Sequence, residues 1–126
     1  MLLSGVDLVE ISRITRAVER WGERFTRRVW TAAERAYCAN RIESLAARWA
    51  AKEATAKALG VGLRGLGGHS NGVAWTEIEV GRDAAGRPLL LLHGDAQRRA
   101  QTLGIAEWSL SLSHSGDMAL AFVVGT

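Results

Sequence analysis

The sequence predicts an α+β domain, a largely antiparallel sheet packed against one long central helix. Three observations predict it. Residues 42–59 are alanine-rich, free of proline and closed by Gly60, which suits one long helix. Residues 107–114 alternate strictly, with Trp108, Leu110 and Leu112 on one face and Ser109, Ser111 and Ser113 on the other. After the turn Ser115-Gly116-Asp117, residues 118–124 return as the second arm of a hairpin. The element order is one strand, three helices, two strands, one helix, two strands, and such runs favour an antiparallel sheet with helices set against it.

Each element has its own signal. Residues 1–11 are apolar and branched, as in a strand, with Asp7 as the exception. Ser12 reads as the N-cap of a helix reaching about Gly22, and residues 25–30 read as a link. Thr31 and Glu34 have capping-box spacing, so Glu34 has a structural task at the start of a helix ending near Asn40. Glycines 62, 65, 67, 68 and 72 mark residues 61–72 as a mobile loop matching no phosphate-binding fingerprint, so Arg64 and His69 receive no role. Residues 73–80 alternate as a strand, 83–88 turn around the lone proline, 89–92 form a short strand, and 95–103 form a helix stopped by Gly104.

The 126 residues suffice for one domain, 1–126, with a real core. No stretch approaches the ~20 apolar residues that span a bilayer. Ser4, Asp7 and Glu10 interrupt any leader, so the expected location is the cytoplasm, away from membranes. Cys38 is alone, which excludes an internal disulfide, and beside Tyr37 in a helix it reads as a small buried hydrophobe. The net charge is +3, but Arg13, Arg16, Arg20, Arg24, Arg27 and Arg28 face only Glu19 and Glu23 in the same stretch. That excess points to an anionic partner. The five tryptophans are scattered among other residue types, which argues against a nucleic-acid groove.

The chemistry gathers on the helix over 46–60. Leu45, Ala46, Trp49 and Ala50 share an apolar arc, Glu53 falls within it, and Lys57 lies one turn on. A carboxylate on a packed face needs a cation. The chain has fourteen arginines but only two lysines, Lys52 and Lys57, and both flank Glu53. An ordinary Glu53–Lys57 pair at i, i+4 is the plain alternative. Asp7 is the other acid in an apolar setting. Together Asp7 and Glu53 make an oxygen-only donor set suited to Mg²⁺ with substrate phosphates. His114 between Ser113 and Ser115 offers donors to an anion, although a histidine satisfied by its own turn is equally consistent with the pattern.

These residues carry a resemblance. Segments 5–13 (GVDLVEISR), 48–60 (RWAAKEATAKALG), 75–80 (WTEIEV), 86–88 (GRP) and 111–115 (SLSHS) are similar to the holo-[acyl-carrier-protein] synthase family. This is the small, single-domain branch of the 4'-phosphopantetheinyl transferase superfamily, and the likeness runs the length of the chain. It implies that superfamily's fold and transfer of the 4'-phosphopantetheine arm of coenzyme A to a serine of apo-acyl carrier protein, releasing adenosine 3',5'-bisphosphate. By the same resemblance Asp7 and Glu53 hold Mg²⁺, and Lys57 and Lys52 neutralise phosphate. Glu53, directly or through a water, takes the serine proton. Arg48 adds charge near that site, while Gly86, Arg87, Pro88, Ser113 and His114 meet the nucleotide. Arg13, extended by Arg16, Arg20 and Arg24, meets the acidic helix of the carrier protein. The family's homotrimer, with sites between subunits, is implied as well. Two other readings remain, a nucleotide pyrophosphohydrolase and a non-catalytic adaptor for acidic proteins. Trp49 departs from the family's usual phenylalanine, and the 61–72 loop from its usual length.

Overall fold

The computed structural model describes residues 1–65 and 72–126, and His69 lies outside them. Strand β1 (Leu3–Glu10) leads into helices α1 (Ile11–Trp21), α2 (Glu23–Val29), α3 (Ala32–Cys38) and α4 (Ile42–Leu59). A 3-10 turn (Trp75–Glu77) precedes β2 (Ile78–Arg82) and β3 (Pro88–Leu92), followed by α5 (Gly94–Leu103), β4 (Trp108–Ser115) and β5 (Met118–Gly125). The strands form two antiparallel sheets, β1-β5-β4 and β2-β3. The α+β class and the antiparallel pairing agree with the sequence.

Helix α4 is the centre of the packing. Ala46, Ala50, Ala51 and Ala54 are wholly buried, and the small side chains let strands lie close on either side. Gly60 is left-handed at the helix end. Its N–H meets the Lys57 carbonyl at 3.1 Å and the Val61 N–H meets the Ala56 carbonyl at 3.0 Å, the two bonds of a Schellman motif. On β1, Gly5 and Val9 turn inward with Ala119, Ala121 and Val123 of β5. Gly5 is needed for contact as much as for conformation, because a Cβ there would stand 1.9 Å from the Ala54 carbonyl oxygen. That close approach sets β1 directly on α4.

Four expectations change. Ser12 does not cap α1; it lies within the helix, and both its N–H and its hydroxyl bond the Asp117 carboxylate, at 2.9 and 2.6 Å. The supposed link over 25–30 is mostly helix α2, whose Phe25 and Val29 are one turn apart and buried. The strand expected over 73–80 begins only at Ile78. The ends of the glycine-rich stretch are tied down: Arg64 N–H bonds the Val73 carbonyl at 2.8 Å, and its guanidinium bridges Glu77 and Asp95, both at 3.0 Å. The Thr31–Glu34 capping box forms as expected.

Candidate active site

Asp7 faces inward on β1 beside buried Ala121 and meets α4 two residues beyond the Gly5 contact. Lys57 Nζ donates to Asp7 Oδ1 at 2.9 Å and to the Val6 carbonyl at 3.1 Å. Glu53 is half-buried one turn earlier. Burial pushes its carboxyl above the ordinary carboxylate range and the charge on Asp7 pushes it further, while Lys57 and Arg13 pull it back. The two acids are linked through Lys57, which pairs with Asp7 and lies one helical turn beyond Glu53. Their oxygens are a hard donor set, and a divalent cation would relieve the repulsion that raises Glu53. Among the described residues no cluster of three or more His, Cys, Asp or Glu gathers, so carboxylates number two in this set.

Lys52 is placed elsewhere, which corrects the expectation that it binds phosphate. It is wholly buried, one helical step of about 100° from Glu53. Its ammonium donates to Glu34 Oε1 at 2.7 Å and to the carbonyls of Trp75 and Ile78 at 3.1 and 2.5 Å, so all three protons are used. Burial draws the ammonium below its ordinary range, against the pull of Glu34. Glu34 in turn accepts from Thr31 N–H at 2.9 Å and Val80 N–H at 3.0 Å. This pair joins α3, α4 and β2 and has no access to a ligand.

Arg48 likewise turns to α3 rather than to Glu53. With Arg41 and Arg82 it surrounds the Tyr37 ring, the three guanidinium carbons lying 4.8, 4.7 and 4.7 Å from its centroid in the order Arg41, Arg48, Arg82. None of the three has a carboxylate partner among the described residues. Arg48 is 2% exposed and its Nε has no hydrogen-bond partner among the described residues. Arg82 also donates to the Gly86 carbonyl, so the Gly86-Arg87-Pro88 turn is joined to this cluster. The turn is held by Asp83, whose carboxylate accepts from Ala85 and Arg87 N–H, each at 2.9 Å, with Gly86 left-handed. Tyr37, Arg41 and Arg82 were not singled out by the sequence; only the i, i+4 spacing of Tyr37 and Arg41 hinted at contact.

Ser113 and His114 leave β4 on opposite faces. His114 pairs with Ala119 and Ala119 with Val9, so His114 stands two strands and two residues from Asp7, roughly 12 Å by sheet spacing. Within one chain it does not reach the carboxylates. Ser113 is opposite Leu120 on the outer face of the sheet. That face carries Val6, Leu8, Leu120 and Phe122, exposed by 50, 59, 38 and 45%.

Arg13, Arg16 and Arg20 are exposed along α1, and Arg24 continues them on α2. Arg20 stacks on Trp21, its guanidinium carbon 4.8 Å from the ring centroid. Between α1, α2 and α4 lies a cavity of about 430 Å³, with Ile14, Phe25 and Trp49 in its walls and Arg13, Arg24 and Arg28 at its edge. Trp49 is set by stacking on Phe25 and Trp75, centroids 5.9 and 4.1 Å away. Arg28 was the basic member of this groove that helical spacing missed, because α2 itself was not recognised.

A family model for the 4'-phosphopantetheinyl transferase superfamily matches residues 4–123, and this gives the class. The holo-[acyl-carrier-protein] synthase of Herpetosiphon aurantiacus is 66% identical over 99% of this chain and 98% of its own. The crystal structure of the Helicobacter pylori holo-[acyl-carrier-protein] synthase in complex with coenzyme A superposes with a TM-score of 0.83, at 28% identity over 98% of this chain and 100% of that one. That of the Neisseria meningitidis synthase gives 0.82, at 37% identity over 98% and 97%. The chain belongs to the holo-[acyl-carrier-protein] synthase branch of that superfamily, and it is an enzyme.

Proposed function

We propose that this enzyme, acting as one domain over its whole length, moves the 4'-phosphopantetheine arm of coenzyme A to a serine of apo-acyl carrier protein. The observation that carries the reading is the junction of Asp7, Glu53 and Lys57, made where Gly5 lets β1 touch α4. The serine oxygen bonds the phosphorus that bears the pantetheine arm, and the bond from that phosphorus to the bridging oxygen breaks. The electron pair leaves with adenosine 3',5'-bisphosphate.

Asp7 and Glu53 would hold Mg²⁺, which when bound supplies charge neutralisation at the pyrophosphate. Lys57 is exposed enough to leave Asp7 and meet phosphate, where it offsets charge on the leaving group. Glu53 takes the serine proton, directly or through a water. Arg41 and Arg82, the exposed members of the cluster around Tyr37, give the nucleotide phosphates a cationic seat beside the Gly86-Arg87-Pro88 turn, with buried Arg48 adding its charge behind them. The coenzyme in the Helicobacter pylori relative supports coenzyme A as the donor.

The basic cavity of α1 and α2 fits the acidic surface of a carrier protein, with Arg13, Arg16, Arg20 and Arg24 steering its approach. The exposed apolar strip Val6, Leu8, Leu120 and Phe122 fits burial against further copies of the chain, which supports a homotrimer. Ser113 adjoins that strip, so a neighbouring copy packed there would meet Ser113, while His114 stays on the opposite face of β4. The lone thiol of Cys38, buried and with its proton affinity raised by burial, suits the reducing cytoplasm.

The experiment is the intact mass of an apo-acyl carrier protein after incubation with the enzyme, coenzyme A and Mg²⁺. A gain of one phosphopantetheine arm, lost with EDTA, is the expected result. Cleavage of coenzyme A with the carrier unmodified would make the chain a pyrophosphohydrolase. Binding of the carrier with coenzyme A intact would make it an adaptor.

A further inference from the structure

Helix α1 presents basic residues to the carrier groove, yet it has no cap of its own. Glu10 occupies its N-cap position and makes no side-chain cap bond. The first donors of α1 are instead satisfied from the far end of the chain. Ile11 N–H bonds the Asp117 carbonyl at 2.7 Å, and Ser12 gives its N–H to Asp117 Oδ1 at 2.9 Å and its hydroxyl to Oδ2 at 2.6 Å. A carboxylate at a helix N-terminus also suits the helix dipole. Asp117 sits in the β4–β5 turn, after left-handed Gly116, and the paired strands on either side hold that turn still.

The residue after Ser12 is Arg13. Its guanidinium carbon lies 5.8 Å from the Trp49 ring centroid, its charge lowers the proton affinity of Glu53, and it borders the basic cavity. Arg13 thus both lines the carrier groove and lies over Trp49, and it stands in the turn of helix that Asp117 anchors. We propose that Asp117 is a positioning residue for carrier recognition, fixing the first turn of α1 so that Arg13 is held over Trp49 at the groove. The inference rests on the transferase reading above and names the determinant of its protein substrate. The coenzyme end is not expected to depend on it. Asp7, Glu53, Lys57 and the Tyr37 cluster lie on other elements, and His114 is held by its pairing with Ala119.

The test is steady-state transfer with the full-length enzyme, varying apo-carrier and coenzyme A separately. In Asp117→Ala, the KM for the carrier should rise roughly three- to thirtyfold, the span that loss of a helix cap covers. The KM for coenzyme A should stay within about twofold. Because Asp117 acts through Arg13, the double variant Arg13→Ala/Asp117→Ala should be no worse for the carrier than Arg13→Ala alone. Ser12→Ala, which keeps the backbone bonds, should move the carrier KM the same way by less. An unchanged carrier KM, equal rises for both substrates, or additive effects in the double variant would overturn the proposal. If Asp117→Ala does not fold, Asp117→Asn and Ser12→Ala carry the same comparison. Absence of transfer by the unaltered enzyme would instead refute the transferase reading.

Discussion

Lys52 and Lys57 stand on the same helix, beside the same glutamate, and have opposite fates. Lys52 is sealed in the core with every proton bound, whereas Lys57 is 57% exposed and holds one carboxylate and one carbonyl. The acids differ in the same way. Glu34 has Lys52 and two backbone N–H groups for its oxygens, while Glu53 has its proton affinity raised by burial and by Asp7. A buried ion pair with complete partners is architecture; a half-buried acid whose proton affinity is raised by burial and by a neighbouring carboxylate is where the proposed function places a ligand.

Removing Lys52 should give the largest effect on stability. Lys52→Met leaves Glu34 buried without its cation, and a loss of about 3–5 kcal/mol is expected in a denaturant titration, comparable with a whole domain's stability. Adding Glu34→Gln should recover part of that loss. If Lys52→Met folds normally and fails only in transfer, the two lysines are not divided as described.

Glu53→Gln should act in the opposite sense. Transfer should fall by about 10³-fold, read by carrier mass, while the metal-free protein becomes no less stable. A carboxyl with a raised folded pKa binds its proton more tightly when folded. Its contribution to stability is therefore full below the ordinary glutamate pKa and is lost as pH rises through the raised one. The wild type should lose stability over that window, and Glu53→Gln should lack this part of the slope.

Lys57→Ala should reduce transfer by about 10²-fold. Its pair with Asp7 is screened by solvent, so the melting temperature should move by no more than a few degrees. The smallest effect belongs to the groove. Arg24→Ala should raise the KM for the carrier about threefold, and the difference should vanish toward 1 M salt, where screening reaches about 3 Å.

What the sequence disclosed was local. The alanine-rich α4 with its Gly60 stop, the Thr31–Glu34 box and the serine-alternating β4 each carry their signal within a few residues. What it hid depends on contacts across the chain. Asp117 caps a helix 105 residues earlier, so Ser12 seemed to do so itself. Helix α2 has only Phe25 and Val29 as an apolar period, amid arginines. The site divides in the same way. Asp7, Glu53 and Lys57 are acids and a cation of recognisable type, but Arg48 and Arg82 join Arg41 around Tyr37 from separate elements, and beyond the i, i+4 step from Tyr37 to Arg41 no spacing announces it.

The most direct measurement is the titration of the Glu53 carboxyl by carbon-detected NMR, in the wild type and in Asp7→Asn, with and without Mg²⁺. Glu53 should titrate above the ordinary glutamate range in the metal-free wild type. It should fall toward that range in Asp7→Asn and fall further when Mg²⁺ binds the wild type. A Glu53 that titrates as an ordinary surface glutamate and ignores both Asp7 and Mg²⁺ would contradict the account.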